Sequence, residues 1–142
     1  MTVLDAYALL AFLRGEPCAD EVAALLRRPT TLSAVNATEI VDQLVRVYQR
    51  DPDDVHADLA LLANEQLEIA PVTAELGLHA GRLRAEHYHR EHAAVSLADC
   101  VAAATALAAG RSLATSDPAL AALVRTEGGD VHPLPDSNGV RP

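Results

Sequence analysis

The chain has no lysine and no tryptophan, and its aromatic residues come to only 3%. Flat side chains on which nucleic-acid bases could stack are therefore scarce. All eleven basic residues are arginine, set against twenty acidic ones, for a net charge of −9. That balance excludes the broad basic footprint of most nucleic-acid-binding domains. It leaves room for a local arginine patch beside an acidic site. Without lysine, every positive contact falls to a planar, bidentate group matched to phosphate or carboxylate.

There are two cysteines, Cys18 and Cys100, too few for a disulfide framework in a chain with no visible secretory signal. Both read as small apolar filler. Met1-Thr2-Val3-Leu4-Asp5 lacks the basic and apolar segments of a signal peptide. No apolar run reaches the length of a membrane span; the longest, Val95 to Ala109, is interrupted by Asp99. A soluble, cytoplasmic protein with no membrane partner is expected.

What the chain does have is hydrophobic residues, half of its 142, dominated by alanine and leucine. That suffices for one domain with one core and favours helices. Strands are predicted at Thr2–Leu4, Thr31–Ser33, Leu67–Val72, Ser112–Thr115 and Val131–Leu134. Between them lie helix-like stretches: Ala6–Leu13, Cys18–Arg28, Ala34–Arg50, one restarting at Asp51-Pro52, Ala74–His92, Ser96–Ala109 and one from Asp117-Pro118 to about Glu127. Short strands alternating with helices predict an α/β fold: a short, mostly parallel sheet with helices on both faces. Residues 1–135 are expected to form the domain, and 136–142, polar with glycine and proline, a flexible tail.

Four acids recur at one structural position. Asp5, Glu39, Asp99 and Asp117 each lie at or just after the handover from an apolar stretch to a helix-like one. In an open α/β sheet that is the ligand-binding edge. Each acid also has a local reading. Asp5 and Asp117 stand where helix N-caps belong; Asn36–Glu39 and Ser96–Asp99 have the spacing of capping boxes. Against four separate caps stands the setting of Asp5 and Asp99, in apolar runs with no lysine anywhere and no adjacent arginine. Two carboxylates about 5 Å apart repel by about 3 kcal/mol at an effective dielectric of about 20. A converging set is costly unless a metal or protons compensate. Oxygen-only ligands suit Mg²⁺ or Mn²⁺, whereas zinc prefers cysteine and histidine.

The segments Val3-Leu4-Asp5-Ala6, Ser33–Ile40, Ser96–Val101 and Leu113–Asp117 occur in the order and spacing of a PIN-domain protein. The chain resembles in particular the VapC-type toxins of bacterial toxin–antitoxin pairs, over essentially its whole length. The resemblance implies a PIN-like single domain and a metal-dependent endoribonuclease that hydrolyses RNA phosphodiesters. It implies Asp5, Glu39, Asp99 and Asp117 as the catalytic and metal-holding quartet, with Thr115 a supporting hydroxyl. It implies Mg²⁺ or Mn²⁺ as cofactor, and as partners RNA, a small cognate antitoxin and a second copy in a homodimer. Many relatives carry a small hydroxyl residue two places after the first acid; here Tyr7 stands there.

RNA held against an acidic pocket needs arginine at the rim, and Arg14 and Arg46 are the candidates, with Arg82, Arg84 and Arg90 as a further group. Asp42, one helical turn past Glu39, reads as a surface residue or an auxiliary acid. His89 and His92 have i,i+3 spacing but no partner that completes a recognised metal pattern. Two other functions remain open: a PIN-fold binding module without activity, and a phosphatase using Asp5 as nucleophile. The second of these lacks the acid such enzymes place where Tyr7 stands.

Overall fold

Val3 and Leu4 are adjacent, and both are fully buried, on opposite faces of a sheet. The same alternation holds for Leu113 and Ala114 on the neighbouring strand. This period of two splits the core into the two apolar layers that a covered parallel sheet requires. The structure is a computed structural model and describes all 142 residues.

The strands are β1 (Thr2–Leu4), β2 (Thr30–Ser33), β3 (Leu67–Ala70), β4 (Ser112–Thr115) and β5 (Val131–Pro133). They form one sheet in the order β3-β2-β1-β4-β5, and every pairing is parallel. The helices are α1 (Ala6–Arg14), α2 (Ala19–Leu26), α3 (Ala34–Asp42), α4 (Pro52–Glu65), α5 (Ala74–His87), α6 (Leu97–Ala109) and α7 (Pro118–Thr126). Leu4, Leu32 and Ala114 pack under α1 to α4 through Leu9, Val22, Ile40, Leu44 and Leu59. Val3 and Leu113 pack under α5 to α7 through Leu83, Leu120 and Val124. In α6 every residue from Cys100 to Ala106 is buried, so the helix runs through the interior. Its alanines let neighbours approach closely.

The chain winds outward from β1 to β2 and β3, then returns to place β4 on the other side of β1. Between β1 and β4 the winding reverses. In open α/β sheets such a reversal, at the carboxyl ends of the strands, is where ligands bind. The β1–β4 pairing continues one step past β1, where the Asp5 amide donates to the Ala114 carbonyl at 3.3 Å.

The structure departs from the sequence-based expectation at two helix ends. The helix predicted to run unbroken from Ala34 to Arg50 is α-helical only to Asp42; Gln43–Val47 form a π-helical turn. The Tyr48 amide donates five residues back to Gln43, and Gln49 takes a positive φ of 55°. The widened turn coincides with a tertiary contact, the Arg14 guanidinium lying 3.8 Å from the Tyr48 ring centre. The helix predicted to reach His92 ends at His87. Beyond it, His89 and Ala93 pair through two backbone hydrogen bonds of 3.0 and 2.9 Å. No helix is long and apolar enough to cross a membrane.

Residues 136–142 make several contacts. The Asp136 amide donates to the Val140 carbonyl, and Arg141 pairs with Glu21 on α2 and donates to the Pro133 carbonyl.

Candidate active site

Asp5 follows β1 and Asp117 follows β4, so both stand where the winding reverses. Asp99 enters from the first turn of α6 and Glu39 from the second turn of α3. Mutual repulsion links all four. Asp99 and Asp117 both raise the pKa of Asp5, Asp117 raises that of Asp99, and Asp99 raises that of Glu39. The fold therefore gathers acids spread over 113 positions of sequence into one electrostatic neighbourhood.

Capping is real at three of the four, and it uses one oxygen each. Oδ1 of Asp5 accepts from the Ala8 amide at 2.7 Å and caps α1. Oδ2 of Asp99 accepts from the Ser96 amide at 2.7 Å, while the Asp99 amide donates to Ser96 Oγ at 3.0 Å, a closed capping box. Oδ1 of Asp117 accepts from Ala119 and Leu120 and caps α7. In each carboxylate the second oxygen makes no capping bond. The two readings of the sequence are thus compatible: the cap restricts the side chain and leaves one oxygen outside the capping bond.

Glu39 belongs to no capping box. Ser33 caps α3 by accepting from the Asn36 amide at 3.0 Å. Glu39 Oε2 is buried with no hydrogen-bond partner, which is costly for a carboxylate oxygen without a compensating ligand.

Three helix N-termini favour negative charge here, but burial outweighs them. Asp5 is 3% exposed, and desolvation is the main cause that pushes its pKa up to about 7. Thr115, fully buried, works against that shift by hydrogen-bonding the Asp5 carboxyl; its hydroxyl also accepts from the Asp117 amide at 3.0 Å. Desolvation likewise raises Asp99 and Glu39. The charges acting on those two are all negative.

A hard divalent cation fits this donor set. It is all oxygen, it is uncompensated by any basic group, and it includes an orphaned buried carboxylate oxygen. The oxygens are neighbours rather than a closed cage. The one group of three acid or histidine ligand atoms lying within 4.8 Å of one another is Glu86, His87 and Glu127, at the far end of α7 from Asp117. That group is accounted for by pairing: His87 Nε2 meets Glu127 at 2.6 Å and Glu86 meets Arg82 at 3.6 Å.

The two arginines singled out for RNA are both engaged. Arg14 pairs with Glu16 and stacks on Tyr48. It sits at the opposite end of α1 from Asp5, about 13 Å away at 1.5 Å per residue. Arg46 makes a two-pronged pair with Asp42 at 2.9 and 2.7 Å, on an exposed surface about 10 Å along the helix from Glu39. Arg84 is half-buried, donating to the Val95 carbonyl at 3.1 Å and lying over the Tyr88 ring. Tyr7 gives its phenol hydrogen to Glu16 at 3.2 Å, so its hydroxyl does not stand in for a small one beside the acids. His89 and His92 stack on each other on the turn past α5.

Asn36 is the residue that sequence reading undervalued, as the first position of a supposed capping box. It is fully buried and bonds across to α6. The available signal was an amide inside the apolar run Ala34-Val35-Asn36-Ala37, one turn before Glu39.

Comparison with known proteins bears on this site. The family model described as the PIN domain matches residues 2–125. Among solved structures, the chain is similar to VapC20 of Mycobacterium tuberculosis, described as a sarcin–ricin loop cleaving toxin. The TM-score is 0.68 at 20% identity, covering 86% of this chain and 94% of that one. It is similar to a chain of VapBC2 from Rickettsia felis, solved bound to a promoter DNA fragment, with TM-score 0.66 at 16% identity and coverage of 92% and 96%. It is similar also to a chain of a DNA-bound VapBC from Salmonella typhimurium, with TM-score 0.67 at 18% identity and coverage of 92% and 96%. At these identities the likeness is one of fold. No curated protein sequence matches the chain.

Proposed function

From a chain that belongs to the PIN-domain family, we propose a divalent-metal-dependent endoribonuclease that serves as the toxin of a toxin–antitoxin pair. The observation that carries the reading is the half-buried, uncompensated acid cluster at the switch point of the sheet, with Asp5 raised to about 7 and Glu39 Oε2 without a partner. Helix-capping alone has no use for either.

Asp5, Asp99, Glu39 and Asp117 would hold Mg²⁺ or Mn²⁺, which when bound supplies charge neutralisation and activates water for attack on a phosphodiester. The chain's own residues do the positioning. The Ala8, Ser96, Ala119 and Leu120 amides lock three of the carboxylates, so little reorganisation remains at the moment of reaction. Thr115 holds Asp5 and, through the Asp117 amide, ties the first and last acids together.

RNA is the substrate class favoured by the relative described as a sarcin–ricin loop cleaving toxin. Arg46, near Glu39 along the α3 extension, is the better placed of the two candidate RNA contacts; Arg14 is the more remote. A small antitoxin is the partner favoured by the VapBC complexes among the similar structures. A homodimer and a cytoplasmic location belong to the same proposal, as does a domain spanning 1–135 with 136–142 as its tail.

The test is cleavage of a defined RNA by the purified chain with Mg²⁺ or Mn²⁺, against chelator, Asp5→Asn and Asp99→Asn. Cleavage that needs the metal and is lost in both variants, with circular dichroism unchanged, supports the reading. Activity surviving both substitutions refutes the site. A non-catalytic binding module is the second reading, favoured by the engagement of Tyr7 with Glu16; it expects no cleavage under any metal and intact partner binding.

A further inference from the structure

We infer that Asn36 is a positioning residue, the strut whose side-chain amide sets the gap between Glu39 and Asp99. The inference rests on the metal-binding reading of the acid cluster.

Three observations carry it. Asn36 is fully buried, and both ends of its amide are used. Ser33 Oγ donates to Asn36 Oδ1 at 2.5 Å, and Asn36 Nδ2 donates to the Ala98 carbonyl at 3.2 Å. Ala98 immediately precedes Asp99, and Asn36 stands one helical turn before Glu39, so one hydrogen bond joins the supports of two of the acids.

The orientation of the amide is over-determined. Ser33 Oγ already accepts from the Asn36 amide, so its own hydrogen is free to donate to Oδ1. Turning the amide over would set Oδ1 against the Ala98 carbonyl, two acceptors with no hydrogen between them. Asparagine is thus the group required: an acceptor toward its own helix cap and a donor toward α6, on one short, stiff side chain. Aspartate lacks the donor and serine the reach.

The Asn36–Ala98 bond ties α3 to α6 beside both acids. Releasing it would leave each carboxylate on its own helix and loosen only their spacing, which is the property a small cation demands.

The experiment measures Mn²⁺ binding to the full chain by electron paramagnetic resonance of free Mn²⁺, alongside kcat and KM on RNA. Asn36→Ala is expected to raise the Mn²⁺ dissociation constant at least tenfold and lower kcat, with KM for RNA unchanged. In a Glu39→Gln background the same change is expected to have a smaller effect, because the strut acts through that carboxylate. Where Asn36→Ala fails to fold, Asn36→Ser, which keeps a partner for Ser33, carries the same expectation. Folded Asn36 variants that bind Mn²⁺ as the unchanged chain does overturn the inference, whatever they lose in melting temperature. Absence of any Mn²⁺ binding by the unchanged chain overturns the metal reading itself, and this inference with it.

Discussion

Asp5 is where residue-level chemistry is most exposed to test. In the fold it holds its proton up to about pH 7, whereas in the unfolded chain it ionises near 4. A group whose pKa is raised by folding stabilises the fold fully below its unfolded pKa. It loses that contribution as pH rises through the folded one. Without metal, stability should therefore fall between about pH 4 and pH 7, by at most about 4 kcal/mol from this residue. Denaturant midpoints in chelator across that window measure the fall. Asp5→Asn keeps a capping oxygen for Ala8 and should remove most of it, making the variant the more stable protein at pH 8; an unchanged profile would contradict the burial argument. The Arg14–Tyr48 stack makes a second residue-scale prediction. Tyr48→Ala should cost about 0.5–1 kcal/mol, and the loss should shrink in an Arg14→Ala background, as a double-mutant cycle would read.

At the scale of elements, three helices begin at acids of the candidate site, so capping and site chemistry are superimposed. They can be separated at α7. Asp117→Ala removes both the cap and the charge and should cost about 1 kcal/mol of stability as well as activity. Asp117→Asn retains an acceptor for Ala119 and Leu120, so stability should hold while activity falls. Thermal melts beside RNA cleavage distinguish the two; equal stability loss in both variants would mean the charge, not the cap, anchors the helix. The π-helical turn after α3 is an element no periodicity announced. The apolar positions of Ala34–Arg50 fit a continuous helix, and the turn widens beside the point where Arg14 meets Tyr48 across the fold.

The molecule as a whole carries a net charge of −9 and gathers four of its acids in one half-buried cluster. A cation bound there should stabilise the fold by mass action, about 2.7 kcal/mol at a hundredfold excess over its dissociation constant. It competes with protons for the same oxygens, so the gain should be larger at pH 8 than at pH 5.5. Melting temperatures with and without Mg²⁺ at the two pH values check this. A gain independent of pH, or one that survives Asp5→Asn, would point to a site elsewhere.

Much of this was legible in the chain of residues alone. Alternating short apolar runs and helical stripes fixed an α/β sheet with helices on both faces, because a parallel strand must be followed by a crossover. Asp5, Asp99 and Asp117 were visible because helix starts leave their mark in residues such as Ser96 and Pro118. Other features were decided only by tertiary structure: the reversal of winding between β1 and β4, the burial that lifts Asp5, and the reach of Asn36 to Ala98. Each of these depends on groups 62 to 110 positions apart, or on how much water is excluded. Local pattern encodes neither, because both arise only when separate elements are packed against one another.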